Sequence, residues 1–247
     1  MSENSAERIL KVLTKASAIS SNTTSVEIWA KVFEITESDL YKKSSLVTLK
    51  LIQIDLEIDS LEAQLALTGL KPEIYLPKFE SIRAAISSHA LAQSWNGPRG
   101  LMTSDVIHCL EWCGQTLSTQ EDALSEQEIS EISQNIEQLR ASISNSKLPE
   151  AALLVLRRHL TILERAFQAY DIRGASSFKE GVHQAAGDLV EFGDVLTEHK
   201  DAPEVSLLGK ALGTMKKAGD KIQWADKTTQ SGGKLMELFS KLLETLG

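Results

Sequence analysis

Apolar residues recur alternately three and four positions apart in five stretches of this chain. This spacing turns one stripe of a helix toward a neighbouring helix, as in helical bundles and coiled coils. The strict alternation of apolar and polar residues that indicates a strand is absent, so the pattern predicts an all-α protein. The stripes are formed by Val47, Leu51, Ile54, Ile58, Leu61 and Leu65; by Ile129, Ile132, Ile136, Leu139 and Ile143; by Leu153, Leu156, Leu160, Leu163, Phe167 and Tyr170; by Phe178, Val182, Ala185, Leu189, Phe192 and Leu196; and by Leu208, Leu212, Met215, Gly219 and Ile222.

Capping residues predict where several helices begin. A hydroxyl side chain followed three residues later by a carboxylate forms a capping box, and this pattern occurs at Thr36–Asp39, Ser125–Glu128 and Ser177–Glu180. The first of these opens a long predicted helix that ends near Leu67, just before Gly69. The whole chain is predicted to contain about eight or nine helices.

Short breaks between long helices favour antiparallel neighbours, so we expect a multi-helix antiparallel bundle. The bundle is either one domain over residues 1–247 or two abutting lobes, an N-terminal lobe 1–120 and a C-terminal lobe 121–247. The stripes allow pairing within one chain or between copies, which leaves a homo-oligomer open.

Charge is unevenly distributed along the chain. The net charge is −8 and the pI is near 5.3, which argues against nucleic-acid binding because that requires a basic surface. Residues 101–150 hold nine acidic and two basic side chains, whereas residues 205–247 hold seven lysines and four acidic side chains. These two regions either attract each other, attract a partner or form ordinary solvated faces.

The sequence predicts a cytoplasmic protein. Residues 1–15 include acidic side chains and no apolar core, so we expect no signal peptide. No run approaches the roughly 18 apolar residues of a membrane span. Cys109 and Cys113 lie four positions apart on one predicted helix, where a disulfide is awkward, and two free thiols fit a reducing compartment.

Common catalytic motifs are absent, and we expect no cofactor. One weak pattern remains, because Arg83 and His89 are separated by five residues. It resembles the Arg-x(4–6)-His motif of HEPN ribonucleases, which are small helical bundles. The resemblance implies that Arg83 and His89 act on the RNA backbone, although Ala84 stands where that family usually has a polar residue.

A second weak pattern concerns metal binding. Asp105 precedes His108 by three positions, and Glu180 precedes His183 by the same spacing, as in di-iron bundles. The helical rotation of about 200° between Val106 and His108 turns the histidine toward solvent, so we expect no metal site.

Four further features carry alternative interpretations. Trp95 and Arg99 lie in a predicted loop, where the tryptophan either anchors a partner protein or folds back over the helix ends. His159, next to two arginines, is expected on a solvated basic face. Cys113 shares its helix face with apolar residues and is expected in the core. The glycines and lysines of residues 205–246, which include Gly209 and Gly213, favour close helix packing, a segment that must move, or a membrane-active segment.

Acidic charge, amphipathic helices and missing catalytic motifs favour a cytoplasmic helical protein that binds another protein, such as an adaptor, an inhibitor or an immunity-type protein. The alternatives are a HEPN-like ribonuclease using Arg83 and His89, and a membrane-active effector acting through residues 205–246.

Overall fold

The computed structural model describes residues 3–117 and 124–221, and within these ranges the chain forms eleven α-helices and no β-strand. The all-α prediction is confirmed, and nine of these helices have seven residues or more. The helices are α1 (Ser5–Ser17), α2 (Ser25–Val32), α3 (Leu40–Ala66), α4 (Pro72–Ile86), α5 (Ser88–Leu91), α6 (Asn96–Leu101), α7 (Ser104–Thr116), α8 (Glu126–Ser144), α9 (Glu150–Arg173), α10 (Ser176–Thr197) and α11 (Pro203–Gly219).

The chain divides into two compact units between residues 120 and 121. Helices α1 to α7 form the N-terminal unit, and α8 to α11 form the C-terminal unit. In the N-terminal unit, α1 packs against α2, α3 and α7, while α4 packs against α3, α5, α6 and α7. The predicted α3 stripe from Val47 to Leu65 faces this core, and each of its six residues is 3% exposed or less.

Local capping at α1 adds a box that the sequence analysis did not predict, and at α3 it differs from the prediction. The helix α1 begins with a reciprocal capping box between Asn4 and Glu7. At α3 the predicted box is wrong, because Asp39 rather than Thr36 is the N-cap. The Asp39 side chain accepts a hydrogen bond from the backbone N–H of Lys42 at 2.9 Å, which satisfies an end group of the helix.

Trp29 and Trp95 pack together in the part of the N-terminal unit that contains the predicted loop around Trp95 and Arg99. This loop contains the two short helices α5 and α6, and Trp95 lies fully buried just before α6. Its ring meets that of Trp29 edge-on at 5.5 Å between centroids, and its Nε1–H donates to the carbonyl of Ile19 at 2.8 Å. Trp112 lies at the edge with 38% exposure, and Trp224 lies outside the described residues.

Helices α8 to α11 form a four-helix bundle in which each helix packs against the next and α11 returns to α8. Two ion pairs show that α9 and α10 are antiparallel. Arg158 binds Asp188 at 2.9 Å, and Arg173 at the end of α9 binds Glu180 near the start of α10 at 2.7 Å. The predicted stripes of these four helices line the bundle interior, except that Ile222 lies outside the described residues.

Of the two capping boxes predicted in the C-terminal unit, one forms. Ser125 and Glu128 form the expected reciprocal box at α8. The box predicted at Ser177 is wrong, because α10 begins two residues earlier than that box requires, with Ala175 as its N-cap. Ser177 instead donates to the carbonyl of Gly174 at 2.8 Å, and Glu180 is held by an arginine of α9.

His159 lies inside the bundle, which corrects the prediction of a solvated basic face. Its ring is fully buried, with Nδ1 at 2.8 Å from the carbonyl of Val155 and Nε2 at 3.4 Å from that of Ala185. Burial lowers the pKa of His159, although the two carbonyl contacts oppose this shift. Burial in the core therefore favours the neutral form of this histidine.

Lys221, two residues after the end of α11, pairs with the acidic first turn of α8, which is one contact of the kind that the charge distribution suggests. Lys221 lies 2.6 Å from Glu128, and hydrogen bonds from Lys221 and Ser125 lower the pKa of Glu128 to about 2. Within the two described ranges, the helices are too short or too polar to traverse a bilayer.

Candidate functional site

The helix α3 presents apolar residues on two opposite faces. Its inner stripe is buried in the N-terminal unit, as described above. A second set of apolar residues lies about 160° around the helix from the inner stripe, at 3.6 residues per turn. We call this set the outer stripe. Its members are exposed to solvent: Tyr41 by 84%, Leu49 by 55%, Ile52 by 46% and Leu56 by 39%.

A buried ion pair fixes α3 to the rest of the unit. Arg8 of α1 donates to Glu57 through Nε at 3.1 Å and through Nη2 at 2.6 Å. Arg8 also donates to Ser5, and Ser5 accepts a hydrogen bond from Gln64 at 2.8 Å. Arg8 and Glu57 are almost fully buried, so separating them would leave two buried charges with neither a partner nor water to stabilise them. The pair therefore holds α3 in one position relative to α1.

Four carboxylates gather around one guanidinium beside the outer stripe. We call Asp55, Asp59, Glu62, Glu80 and the enclosed Arg83 the acidic ridge. Arg83 lies 3.0 Å from Asp55, 2.6 Å from Asp59, 2.6 Å from Glu62 and 3.8 Å from Glu80. Burial lowers the pKa of Arg83, but the hydrogen bonds to Glu62 and Asp55 outweigh it and raise the pKa above its usual value.

A groove joins the outer stripe to the acidic ridge. Its volume is about 390 Å³, and Ile52 belongs to both the outer stripe and the groove wall. Asp55 and Arg83 belong to both the acidic ridge and the same wall. The complete lining is Thr48, Leu51, Ile52, Asp55, Arg83, Ile86, Ser87, Ser88 and Leu91. The groove therefore places apolar side chains, hydroxyl groups and the Asp55 carboxylate within reach of one bound group.

The structure gives the ribonuclease hypothesis no support at Arg83 and His89. Arg83 is already engaged by the carboxylates of the ridge, which repel an RNA phosphate. His89 is exposed on α5 and is not among the residues that line the groove of Arg83.

Trp95 and Arg99 support the fold of the N-terminal unit. Of the two interpretations of Trp95, the structure shows the one in which the ring folds inward. Arg99 donates through Nε to the carbonyl of Ser17 at 2.8 Å, which ties α6 to the end of α1. Arg99 also lines a polar cavity of about 500 Å³ with Ser17, Asn96, Gly100, Met102 and Thr103. An exposed tryptophan anchor is therefore ruled out for this conformation.

The four metal candidates are not gathered into one site. Asp105 lies 3.4 Å from Lys78, and Glu180 binds Arg173. His108 and His183 are exposed, on α7 and α10. Among the residues that the structure describes, no three histidine, cysteine or acidic side chains form a group able to hold a metal ion.

The cysteines and the C-terminal glycines occupy different environments. Cys113 is buried, as predicted, and Cys109 is half-buried. A hydrogen bond between the two thiols lowers the pKa of Cys109 and raises that of Cys113. A Cβ at Gly213 would meet nothing within 4 Å, so close packing does not occur at that glycine. It occurs instead at Gly219, where a Cβ would lie 2.9 Å from the backbone nitrogen of Lys179.

The sequence analysis did not predict the outer stripe or the acidic ridge, although the sequence contains a pattern that indicates each of them. Once the inner stripe is assigned, Leu49, Ile52 and Leu56 remain, with spacings of three and four on the opposite face. Asp55, Asp59 and Glu62 show the same spacing, but their common guanidinium comes from another helix.

Comparisons of the chain with protein-family models, with curated proteins and with solved structures found no match.

Proposed function

We propose that this protein acts by binding another protein on the outer stripe of α3, as a cytoplasmic adaptor, inhibitor or immunity-type protein without catalysis of its own. The observation that carries the proposal is the two-sided character of α3. Its inner stripe is sufficient to hold the helix in the fold, and the outer stripe adds apolar surface that the fold does not use.

Exposed apolar side chains on one helix face are characteristic of protein interaction sites, whereas isolated ones are ordinary. Leu49, Ile52 and Leu56 follow one another along one face of α3, a helix of 27 residues, and cover about two of its turns. The buried pair of Arg8 and Glu57 keeps this helix in place, so a partner would meet a preorganised surface.

The two alternative functions have less support. Arg83 is engaged by carboxylates, which disfavours a HEPN-like ribonuclease. The membrane-active alternative depends on residues 205–246, of which 222–246 lie outside the described residues. Within α11, Leu208, Leu212 and Met215 are buried in the bundle, so that they offer no apolar face to a lipid surface.

The proposal is tested by removing the outer stripe without changing the core. The triple variant Leu49→Gln, Ile52→Gln and Leu56→Gln retains helix-forming residues at exposed positions. Full-length tagged protein is expressed in the native cell, and proteins that copurify in stoichiometric amounts are quantified. We expect the wild-type chain to retain a specific partner and the triple variant to lose at least about 90% of it, because hot-spot contacts dominate interface energies.

Leu154→Gln provides the matched control, because Leu154 is 66% exposed in the C-terminal unit. This variant should retain the partner as well as the wild type does. Circular dichroism melting should show that both variants are folded. A wild-type chain that recovers no stoichiometric partner, or a triple variant that recovers it fully, would contradict the proposal.

A further inference from the structure

We infer that the occupant of the outer stripe is an amphipathic helix whose apolar face is flanked by lysine or arginine side chains. This inference rests on the proposed function, and it specifies the chemistry of the partner. It follows from the juxtaposition of the outer stripe, the groove and the acidic ridge on one side of the N-terminal unit.

A helix is the partner shape that the outer stripe matches. Leu49, Ile52 and Leu56 follow the three-and-four spacing with which two helices interdigitate over several turns. An extended peptide is recognised through the open edge of a sheet or, as a polyproline II helix, in an aromatic-lined groove. The described residues contain no strand, and no aromatic residue lines the groove.

The groove provides a place for one anchoring side chain of that helix. A volume of about 390 Å³ accommodates a large side chain but not a whole helix. Its apolar wall is formed by Leu51, Ile52, Ile86 and Leu91, whereas Asp55 lies at its polar side. An apolar residue of the partner would enter the groove, and a neighbouring basic residue would reach Asp55.

The sign of the partner's charge follows from the acidic ridge. Four carboxylates surround one guanidinium, which leaves an excess of three negative charges beside the outer stripe. Asp55, Asp59 and Glu80 are each more than half exposed, so that a partner can reach them. Basic side chains flanking an apolar face complement this field and accelerate encounter.

The same charge disfavours three other occupants. A second copy bound across a two-fold axis would bring two acidic ridges into one interface, because such an interface uses the same patch on both subunits. Anionic lipid headgroups attract basic rather than acidic surfaces. Nucleic acid is repelled for the same reason.

Site-specific photocrosslinking identifies the occupant directly. The full-length chain is expressed in the native cell with the photoreactive residue p-benzoylphenylalanine at position 52, and in parallel at position 154 as a control. Mass spectrometry then identifies the segment joined to each position. We expect position 52 alone to crosslink a segment with apolar residues three and four apart and an excess of Lys and Arg beside them.

Each other crosslinking result overturns part of the argument. A crosslink to residues 41–67 of a second copy, to a lipid or to a segment of net negative charge would overturn the inference but leave α3 as a binding surface. Crosslinks at position 52 no more specific than those at position 154 would remove the proposed function itself.

Charge is tested separately with the crosslinked segment as a synthetic peptide. The double variant Asp55→Asn and Asp59→Asn retains Glu62 against Arg83 and removes two exposed charges. We expect its affinity for the peptide to fall about tenfold at low salt, with a weaker dependence on ionic strength. The variant Glu131→Gln and Glu191→Gln removes the same charge from the C-terminal unit and should bind as the wild type does. If the wild type and both double variants bound the peptide with equal affinity, the inferred charge of the partner would be overturned. The Leu49, Ile52 and Leu56 triple variant would still test the outer stripe as the docking surface.

Discussion

The two units of this protein differ in how many large hydrophobic side chains their helices expose to solvent. Of the twelve large hydrophobic side chains that are exposed within the described residues, ten belong to the N-terminal unit and two to the C-terminal unit. Helix α11 buries Leu208, Leu212 and Met215 and exposes lysines such as Lys210 and Lys217. Helix α3 buries one apolar stripe and exposes another.

This contrast shows that outward apolar residues are not a requirement of helical packing in this chain. The C-terminal unit achieves a buried core of four helices with polar residues outside. The additional apolar residues of α3 therefore call for an explanation of their own, and the acidic ridge beside them is consistent with a binding surface. We therefore propose that the N-terminal unit is the one that recognises a partner, and stability measurements on α3 test this proposal.

The largest expected effect separates the two faces of α3. Leu61→Ala removes a fully buried side chain and should lower the free energy of unfolding by about 2–5 kcal/mol. Leu56→Ala, on the outer stripe, should change it by less than about 0.5 kcal/mol because no cavity forms. Urea unfolding followed by tryptophan fluorescence reports on both variants, since Trp29 and Trp95 lie in the core of the same unit. Equal losses would mean that the outer stripe is part of a packed core.

An intermediate effect tests close packing in the C-terminal unit. Gly219→Ala places a Cβ 2.9 Å from the backbone nitrogen of Lys179, so that α10 and α11 must separate. We expect a loss of about 1–3 kcal/mol, as for other overpacked sites. Gly213→Ala is the control on the same helix, where the Cβ meets nothing, and it should stabilise the helix by up to about 1 kcal/mol.

Thermal unfolding and hydrogen exchange of α10 and α11 measure both glycine variants. If Gly219→Ala were as stable as Gly213→Ala, the approach of α11 to Lys179 would not be a constraint on the bundle. The N-terminal unit should be unaffected by either change.

Periodicity was sufficient to predict the long helices, because the buried face of each is a continuous apolar stripe, whereas it missed the short helices α5 and α6. Val47 to Leu65 on α3 and Leu153 to Leu163 on α9 are buried as their spacing indicates. The first residue of a helix is decided by one local hydrogen bond from a backbone N–H to the N-cap side chain. Two side chains close in sequence that can accept this bond therefore compete to be the N-cap. The start of α3 illustrates this, since Asp39 takes the role expected of Thr36.

The candidate site was less predictable, because it depends on neighbours from different helices. The outer stripe is visible in the sequence, but exposure is known only once the fold leaves that face uncovered. Arg83 comes from α4 and meets carboxylates of α3 that lie more than twenty residues away. His159 was misplaced for a similar reason, since two adjacent arginines concealed its position three residues after Leu156 on the buried face.

The smallest expected effect is the pH dependence of the C-terminal unit. His159 has a lowered pKa in the folded protein because it is buried, whereas its unfolded pKa is about 6.5. Below that value the unfolded chain binds more protons than the folded chain, so the free energy of unfolding should fall as the pH drops from 7 toward 5. Hydrogen exchange of α9 and α10 across this range measures the effect within the unit. His159→Leu should flatten the profile, because Leu has no proton to bind. His183→Gln should leave it unchanged, because His183 is exposed on the same bundle. If His159→Leu did not alter the pH dependence of the free energy of unfolding, other groups would govern the acid sensitivity of this unit. Protonation of the buried histidine would then not destabilise the folded state.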